Sequence, residues 1–279
     1  MLNLTSISSY FSYSFVWYAL ITVLLIALCA SLLGVVLVLK RFSFLGDGLS
    51  HTAFGAVAIA SAIGVTNNMF IVMPITIISA ILLLVFSKKA KLKGDSIIAM
   101  TSVGCLAIGY ILMKIFPNPN VGEVDETLFG SNNLLTLSLS NVILVLAIAI
   151  IVVGFFIIFY NKIFSLTFDE DFAKSTGVKT NIYNLIISVI IAVIIVISMK
   201  LIGSLLVSAL IVFPAVSAMR LFKTYKSVTI ASVVFGVIAS LIGFIFSLIL
   251  NTPVGPTIVV VDIIGFVIFY ILSKIKKAA

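Results

Sequence analysis

Asp47 and His51 stand four residues apart in FLGDGLSHTAFGAVAIASAIG, residues 44–64, a stretch that otherwise reads as membrane-buried helix. His51 is the single histidine of the chain, and Asp47 is one of nine acidic residues. A charged Asp in hydrocarbon costs about 2.5–3.5 kcal/mol, so it persists where it has a partner or a function. The i, i+4 spacing puts both side chains on one face of a helix. A carboxylate oxygen and an imidazole nitrogen on one face supply half of a divalent-metal site. The same spacing also suits a plainer arrangement, in which His51 bonds to Asp47 or to a neighbouring helix and glues a bundle together. The pair by itself leaves both readings open.

The residues around the pair are small: Gly46, Gly48, Ser50, Ala53, Gly55, Ala56, Ala58, Ala60 and Ser61. Small side chains let helix backbones approach closely, which is how membrane helices associate without a hydrophobic drive between them. A bundle or dimer interface is therefore expected here. Near a two-fold axis, two copies would bring two carboxylates and two imidazoles together. Four such ligands suit tetrahedral zinc and, with expanded coordination, manganese or iron.

The elements that must position this pair are membrane spans. Of 279 residues, 62% are hydrophobic and 9% charged, against about a quarter charged in soluble domains. That surplus of apolar surface predicts an all-α polytopic membrane protein in contact with lipid. Runs suited to spanning lie near 15–39, 44–64, 68–86, 96–116, 135–160, 182–199, 201–221, 228–250 and 256–273, each near the length a bilayer requires. The joins alternate in charge. Lys40–Arg41, the Lys88-to-Lys93 run, residues 161–181, the Arg220/Lys223/Lys226 group and the Lys274/Lys276/Lys277 tail are basic or mixed. Positive-inside counting then puts the N-terminus outside and the C-terminus in the cytoplasm, across nine spans, or eight if 182–221 is one span plus a re-entrant piece. The net charge of +8 is thereby assigned to span orientation, with no nucleic-acid partner. The N-terminal run is read as a retained first span rather than a cleaved signal. Cys29 and Cys105 lie in apolar runs without metal-type spacing, so no disulfide framework is expected. Residues 1–279 form a single transmembrane domain, with the 161–181 loop its largest cytoplasmic segment.

Other stretches carry further signals. TFDEDFAKSTGVKT, 167–180, reads as a short amphipathic helix with an acidic start at Asp169 and Asp171, Ala173 within it and Gly177 as its stop; a solvated connector is its bland alternative. MKLIGSLLVSALIVFPAVSAMR, 199–220, sets Gly203, Ser204, Ser208 and Ala209 before Pro214, which should kink or break a helix. Such breaks line transport paths in some membrane proteins and are ordinary in others. NTPVGPT, 251–257, reads as a tight turn. Asp95 reads as an N-cap, and Lys114 and Lys200 as snorkelling residues near span ends. Asp262 stands inside the last span without an evident partner, a second-shell acid or the lining of a wet cavity. Glu123, Asp125 and Glu126 make the 117–134 loop acidic. No G-x-x-x-x-G-K-[ST] or H-E-x-x-H motif occurs, so ATP-driven work must come from another chain and an intramembrane enzyme is disfavoured.

Taken in order, these stretches resemble the integral-membrane permease of bacterial ABC-type zinc/manganese uptake systems. The carrying residues are FLGDGLSH with Asp47 and His51, LFG at Leu128–Gly130, and the D-x-x-x-A-x-x-x-G pattern of Asp169, Ala173 and Gly177. The G-x-L-L-V-x-A-L-I-V-x-P-A run from Gly203 to Ala215 and TPVGPT at 252–257 complete the set, and the match covers nearly the whole chain. The resemblance implies a non-enzymatic permease in the bacterial cytoplasmic membrane that dimerises and couples to two cytoplasmic ATP-binding subunits. An extracellular solute-binding protein would deliver the metal. It implies Asp47 and His51 as translocation ligands, and the segment of Phe168, Asp169, Asp171, Ala173 and Gly177 as the ATPase-coupling helix. It places Gly203, Ser208 and Pro214 along the path or its gate. The metal is the transported substrate, with zinc favoured and manganese next, and no resident cofactor is implied. The competing expectation is a proton-coupled secondary transporter, with Asp47 and His51 relaying protons and no ATPase partner.

Overall fold

The computed structural model describes residues 12–64, 69–89, 94–116 and 137–278, and every regular element in them is helical. The helices are α1 (Ser14–Leu39), α2 (Leu45–Ala62), α3 (Met69–Lys89), α4 (Gly94–Ile115), α5 (Leu139–Ile158), α6 (Tyr160–Phe168), α7 (Glu170–Ser175), α8 (Thr180–Ile202), α9 (Ser204–Leu221), α10 (Tyr225–Leu250) and α11 (Val254–Ala278). Seven are long and apolar enough to cross a bilayer: α1, α4, α5, α8, α9, α10 and α11. The remaining two expected runs also form helices, but α2 is diluted by glycines, serines and the Asp–His pair. In α3 the stretch whose side chains are described, Phe70–Leu83, is apolar as well. Leu128–Gly130 and the acidic residues Glu123, Asp125 and Glu126 lie outside the described residues.

Helix ends follow local chemistry. Thr224 caps α10 by accepting the N–H of Ser227 at 3.3 Å, and Asn251 closes it in the left-handed conformation (φ 54°), a position where Asn is tolerated. The turn after it is tied by Thr257, whose N–H and hydroxyl both donate to the Pro253 carbonyl. A single residue, Gly203 at φ 90°, separates α8 from α9; a side chain there would be strained. Residues 180–221 are thus two helices divided by that glycine. Pro214 sits inside α9 without interrupting it. Asp95 is the second residue of α4, so it lies in the first turn rather than at the cap.

The bundle has two parts. α1 is the most buried span. It is surrounded by α5, α9 and α10, with α11 packed outside α9 and α10. The second part is α2 held between α3 and α4, with α8 packing on α3 and on α9. Close approach is the rule in the first part: a Cβ on Gly34 would run into the backbone carbonyl of Ile211, and one on Gly243 would stand 2.7 Å from the Ile258 Cα. Among the described residues, the joins around Lys40, 161–181, Arg220 and Lys274 gather at one end of the bundle. Lys40, Glu170 and Asn184 are linked there. Tyr225 packs on Tyr160, Phe164 and Phe168, while Arg220 and Lys274 both lie over the Tyr270 ring.

Candidate metal-binding site

The site begins in the turn joining α1 to α2. Phe42 N–H reaches back to the Leu37 carbonyl at 2.9 Å, Leu45 N–H to Phe42 at 3.0 Å and Gly48 N–H to Phe44 at 2.9 Å. Arg41 takes the left-handed conformation needed to reverse the chain (φ 61°). Asp47 thus falls in the first turn of α2, where the positive end of the helix dipole favours an anion. His51 follows one turn later on the same face.

The two side chains lie together without locking onto each other. His51 Nε2 is 3.5 Å from Asp47 Oδ1, longer than a firm hydrogen bond of about 2.7–3.2 Å. The Asp47 side chain is 53% exposed and that of His51 25%, so the pair looks out of this chain rather than into its core. His51 Nδ1 is sealed and has no hydrogen-bond partner. Nε2 and the Asp47 carboxylate are therefore the lone pairs turned towards the opening.

Neighbouring hydroxyls are already engaged. Ser50 donates to the Gly46 carbonyl and Thr52 to the Gly48 carbonyl, each at 2.8 Å. Among the described residues no cluster of three or more His, Cys, Asp or Glu occurs. One chain thus presents two ligands where a closed zinc site takes four.

The small residues of α2 are spent mainly within the chain. Gly48 faces Ile98 and Gly55 faces the Cys105 backbone, both on α4, whereas Gly46 faces Ile211 and Ser208 on α9. Of Gly203, Ser208 and Pro214, expected along a path, Ser208 is the one brought against the start of α2; its hydroxyl donates to the Ser204 carbonyl at 3.2 Å. Pro214 instead lies against Gly236 of α10, and Gly203 serves as the α8–α9 joint. Asp262 is fully buried on α11, with neither carboxylate oxygen hydrogen-bonded. The contacts of Gly243 with Ile258 and of Gly265 with Phe235 set Asp262 level with Ser240, whose hydroxyl is also unpartnered. Lys114 and Lys200 are exposed near their helix ends.

The 167–180 segment folds as its composition predicts. Asp169 caps α7, its carboxylate accepting the Phe172 N–H at 2.9 Å, and Glu170 and Asp171 fill the first turn. Ala173 is buried. Gly177 (φ 84°) ends the helix: its N–H donates to Lys174 and that of Val178 to Ala173, the two bonds of a Schellman stop. Phe168 and Phe172 stay exposed, an apolar edge on the basic end of the bundle. Asn184, which bonds both Lys40 and Glu170, has no sequence signal, because its partner Lys40 is 144 residues away.

Comparison with known proteins places this geometry in a family. The chain is 28% identical to the manganese transport system membrane protein MntC of Listeria monocytogenes, over 94% of this chain and 91% of that protein. It is 27% identical to the high-affinity zinc uptake system membrane protein ZnuB of Haemophilus influenzae, over 90% and 94%. An uncharacterised membrane protein of Cyanophora paradoxa shares 32% identity over 95% of this chain and 88% of its own. In fold, the chain is similar to PsaBC of Streptococcus pneumoniae, solved with a Fab, at TM-score 0.81 and 24% identity, covering 96% of this chain and 95% of the other. The model of the ABC 3 transport family matches residues 12–273, and the chain belongs to that family.

Proposed function

We propose that this chain is the permease subunit of an ATP-driven importer that carries a divalent metal ion into the bacterial cytoplasm. The observation that carries the reading is the Asp47–His51 pair, set on one face, unlocked and open to the outside of the chain, in a member of a metal-transporting family. A second copy of the chain supplies the same pair and completes a four-ligand set around the transported ion. The α7 segment, with exposed Phe168 and Phe172, docks on a cytoplasmic ATP-binding subunit, and an extracellular solute-binding protein delivers the metal. Gathering of the basic joins at the α7 end supports placing that end, with the C-terminus, in the cytoplasm and the N-terminus outside.

No bond of the substrate is made or broken. A ligand shifts an equilibrium between outward and inward forms only by binding them differently. Inward release therefore requires the two Asp–His pairs to part, leaving each ion with two ligands rather than four. Zinc is the favoured substrate and manganese the next because N/O ligand sets hold zinc more tightly than manganese; among the relatives, names for manganese transport outnumber those for zinc.

Reconstitution tests the reading. The permease with its ATP-binding subunits in proteoliposomes should accumulate zinc only when ATP is supplied. Accumulation driven by a pH gradient without ATP would replace it with a proton-coupled transporter, and stronger accumulation of manganese than of zinc would reverse the metal order.

A further inference from the structure

We propose that Asn184 is the positioning residue that ties the motion of the α7 segment to the metal-binding helix α2. This rests on the importer reading and concerns how force reaches the Asp47–His51 pair. Three elements meet at Asn184: the end of α1, the start of α7 and the first turns of α8. Lys40 Nζ donates to Asn184 Oδ1 at 2.8 Å, and Asn184 Nδ2 donates to Glu170 Oε1 at 3.0 Å. All three side chains are half-buried, where charge-assisted hydrogen bonds are stronger than neutral ones.

The orientation of the carboxamide follows from its neighbours. An ammonium can only donate and an ionised carboxylate can only accept. The oxygen must therefore face Lys40 and the nitrogen Glu170; the flipped amide would set donor against donor and acceptor against acceptor. Asn184 is thus an adaptor between two opposite charges on separate elements.

Each end of the adaptor leads to a functional part. Glu170 is the first residue of α7, directly after its cap Asp169. Lys40 caps the end of α1 and opens the turn whose backbone bonds, from Phe42 to Leu37, Leu45 to Phe42 and Gly48 to Phe44, lead into α2, with Asp47 seven residues on. A displacement of α7 therefore pulls on the α1–α2 turn through this carboxamide, and the stem of α8 serves as its fixed post. Coupling of this kind needs a contiguous physical link with two arrangements; here they are the clasp made and the clasp released.

A charge exchange tests this. In proteoliposomes holding the whole permease with its ATP-binding subunits, one measures zinc taken up per ATP hydrolysed, together with zinc binding to the purified permease. Lys40→Glu and Glu170→Lys should each lower uptake per ATP by about tenfold, within the range of coupling seen for groups in one polar network. Zinc binding should not change in either variant, nor should co-purification of the ATP-binding subunits in Lys40→Glu. The double variant, Lys40→Glu with Glu170→Lys, should recover uptake to within about twofold, because the Asn184 amide can turn over and match both reversed charges. Adding Asn184→Leu to that double variant should remove the recovery. Should either single variant fail to insert, Lys40→Met keeps the apolar stem, removes the donor and must show the same drop. Unchanged uptake per ATP in the single variants, or a double variant no better than the worse single, would overturn the clasp. A wild-type permease that binds no ATP-binding subunit would overturn the importer reading itself.

Discussion

Asp47 and Asp262 are both carboxylates in helices of an otherwise apolar bundle, yet their surroundings differ in almost every respect. Asp47 opens its helix, benefits from the helix dipole, has His51 beside it at 3.5 Å and is half exposed. Asp262 lies in the middle of α11, closed off completely, with no hydrogen bond to either oxygen. Only the first arrangement can exchange a ligand. The contrast separates two ways of tolerating an acid in a membrane protein: offering it to something that passes, or burying it where nothing reaches. On the proposed transport reading, Asp47 is the acid a passing ion can reach and Asp262 is shut away from it.

The largest expected effect is at the open pair. Asp47→Ala and His51→Ala should each abolish zinc uptake in reconstituted vesicles while leaving co-purification with the ATP-binding subunits intact. Normal uptake by either variant would erase the distinction drawn between the two acids. Next comes the close packing of α1 against α9. Gly34→Val forces a side chain onto the Ile211 backbone, and overpacking of this sort typically costs about 1–3 kcal/mol. The melting temperature of the detergent-solubilised permease should fall by several degrees, and an unchanged value would show that α1 and α9 part easily. The smallest effect belongs to Asp262. Replacing a buried, unpaired acid by an apolar residue is often neutral or stabilising, so Asp262→Leu should melt at or above the wild-type temperature and keep uptake within about twofold. A collapse of uptake in that variant would give Asp262 a part in transport.

The helices were legible because apolar runs of about 20 residues have few alternatives in a bilayer, and each of the nine runs is helical in its described residues. The α7 segment was equally legible, since an Asp cap, an acidic first turn and a Gly stop are local instructions. What could not be read was which helices meet. The small residues of α2 announced a close interface, but nothing in their order says that Gly48 and Gly55 face α4 while Gly46 faces α9. The whole 199–220 stretch resembled a transport path, yet it is Ser208 and Ile211 that face Gly46 of α2, while Pro214 turns towards α10. Nor could the weakest of the expected spans be told from its run alone: α2 forms a helix diluted by glycines, serines and the Asp–His pair.

The seam between α2 and α4 has a mechanical meaning. Where large side chains interlock, helices must lift apart before they can slide, and the well-packed positions on either side act as detents. The α2–α4 seam carries such teeth: the Ile98 methyl sits over Gly48 and the Phe54 ring over Gly109, while a Cβ at Gly55 would stand 3.0 Å from the Cys105 carbonyl oxygen. The two helices are keyed together by side chains seated in glycine notches, so α2 takes α4 with it until those side chains lift clear.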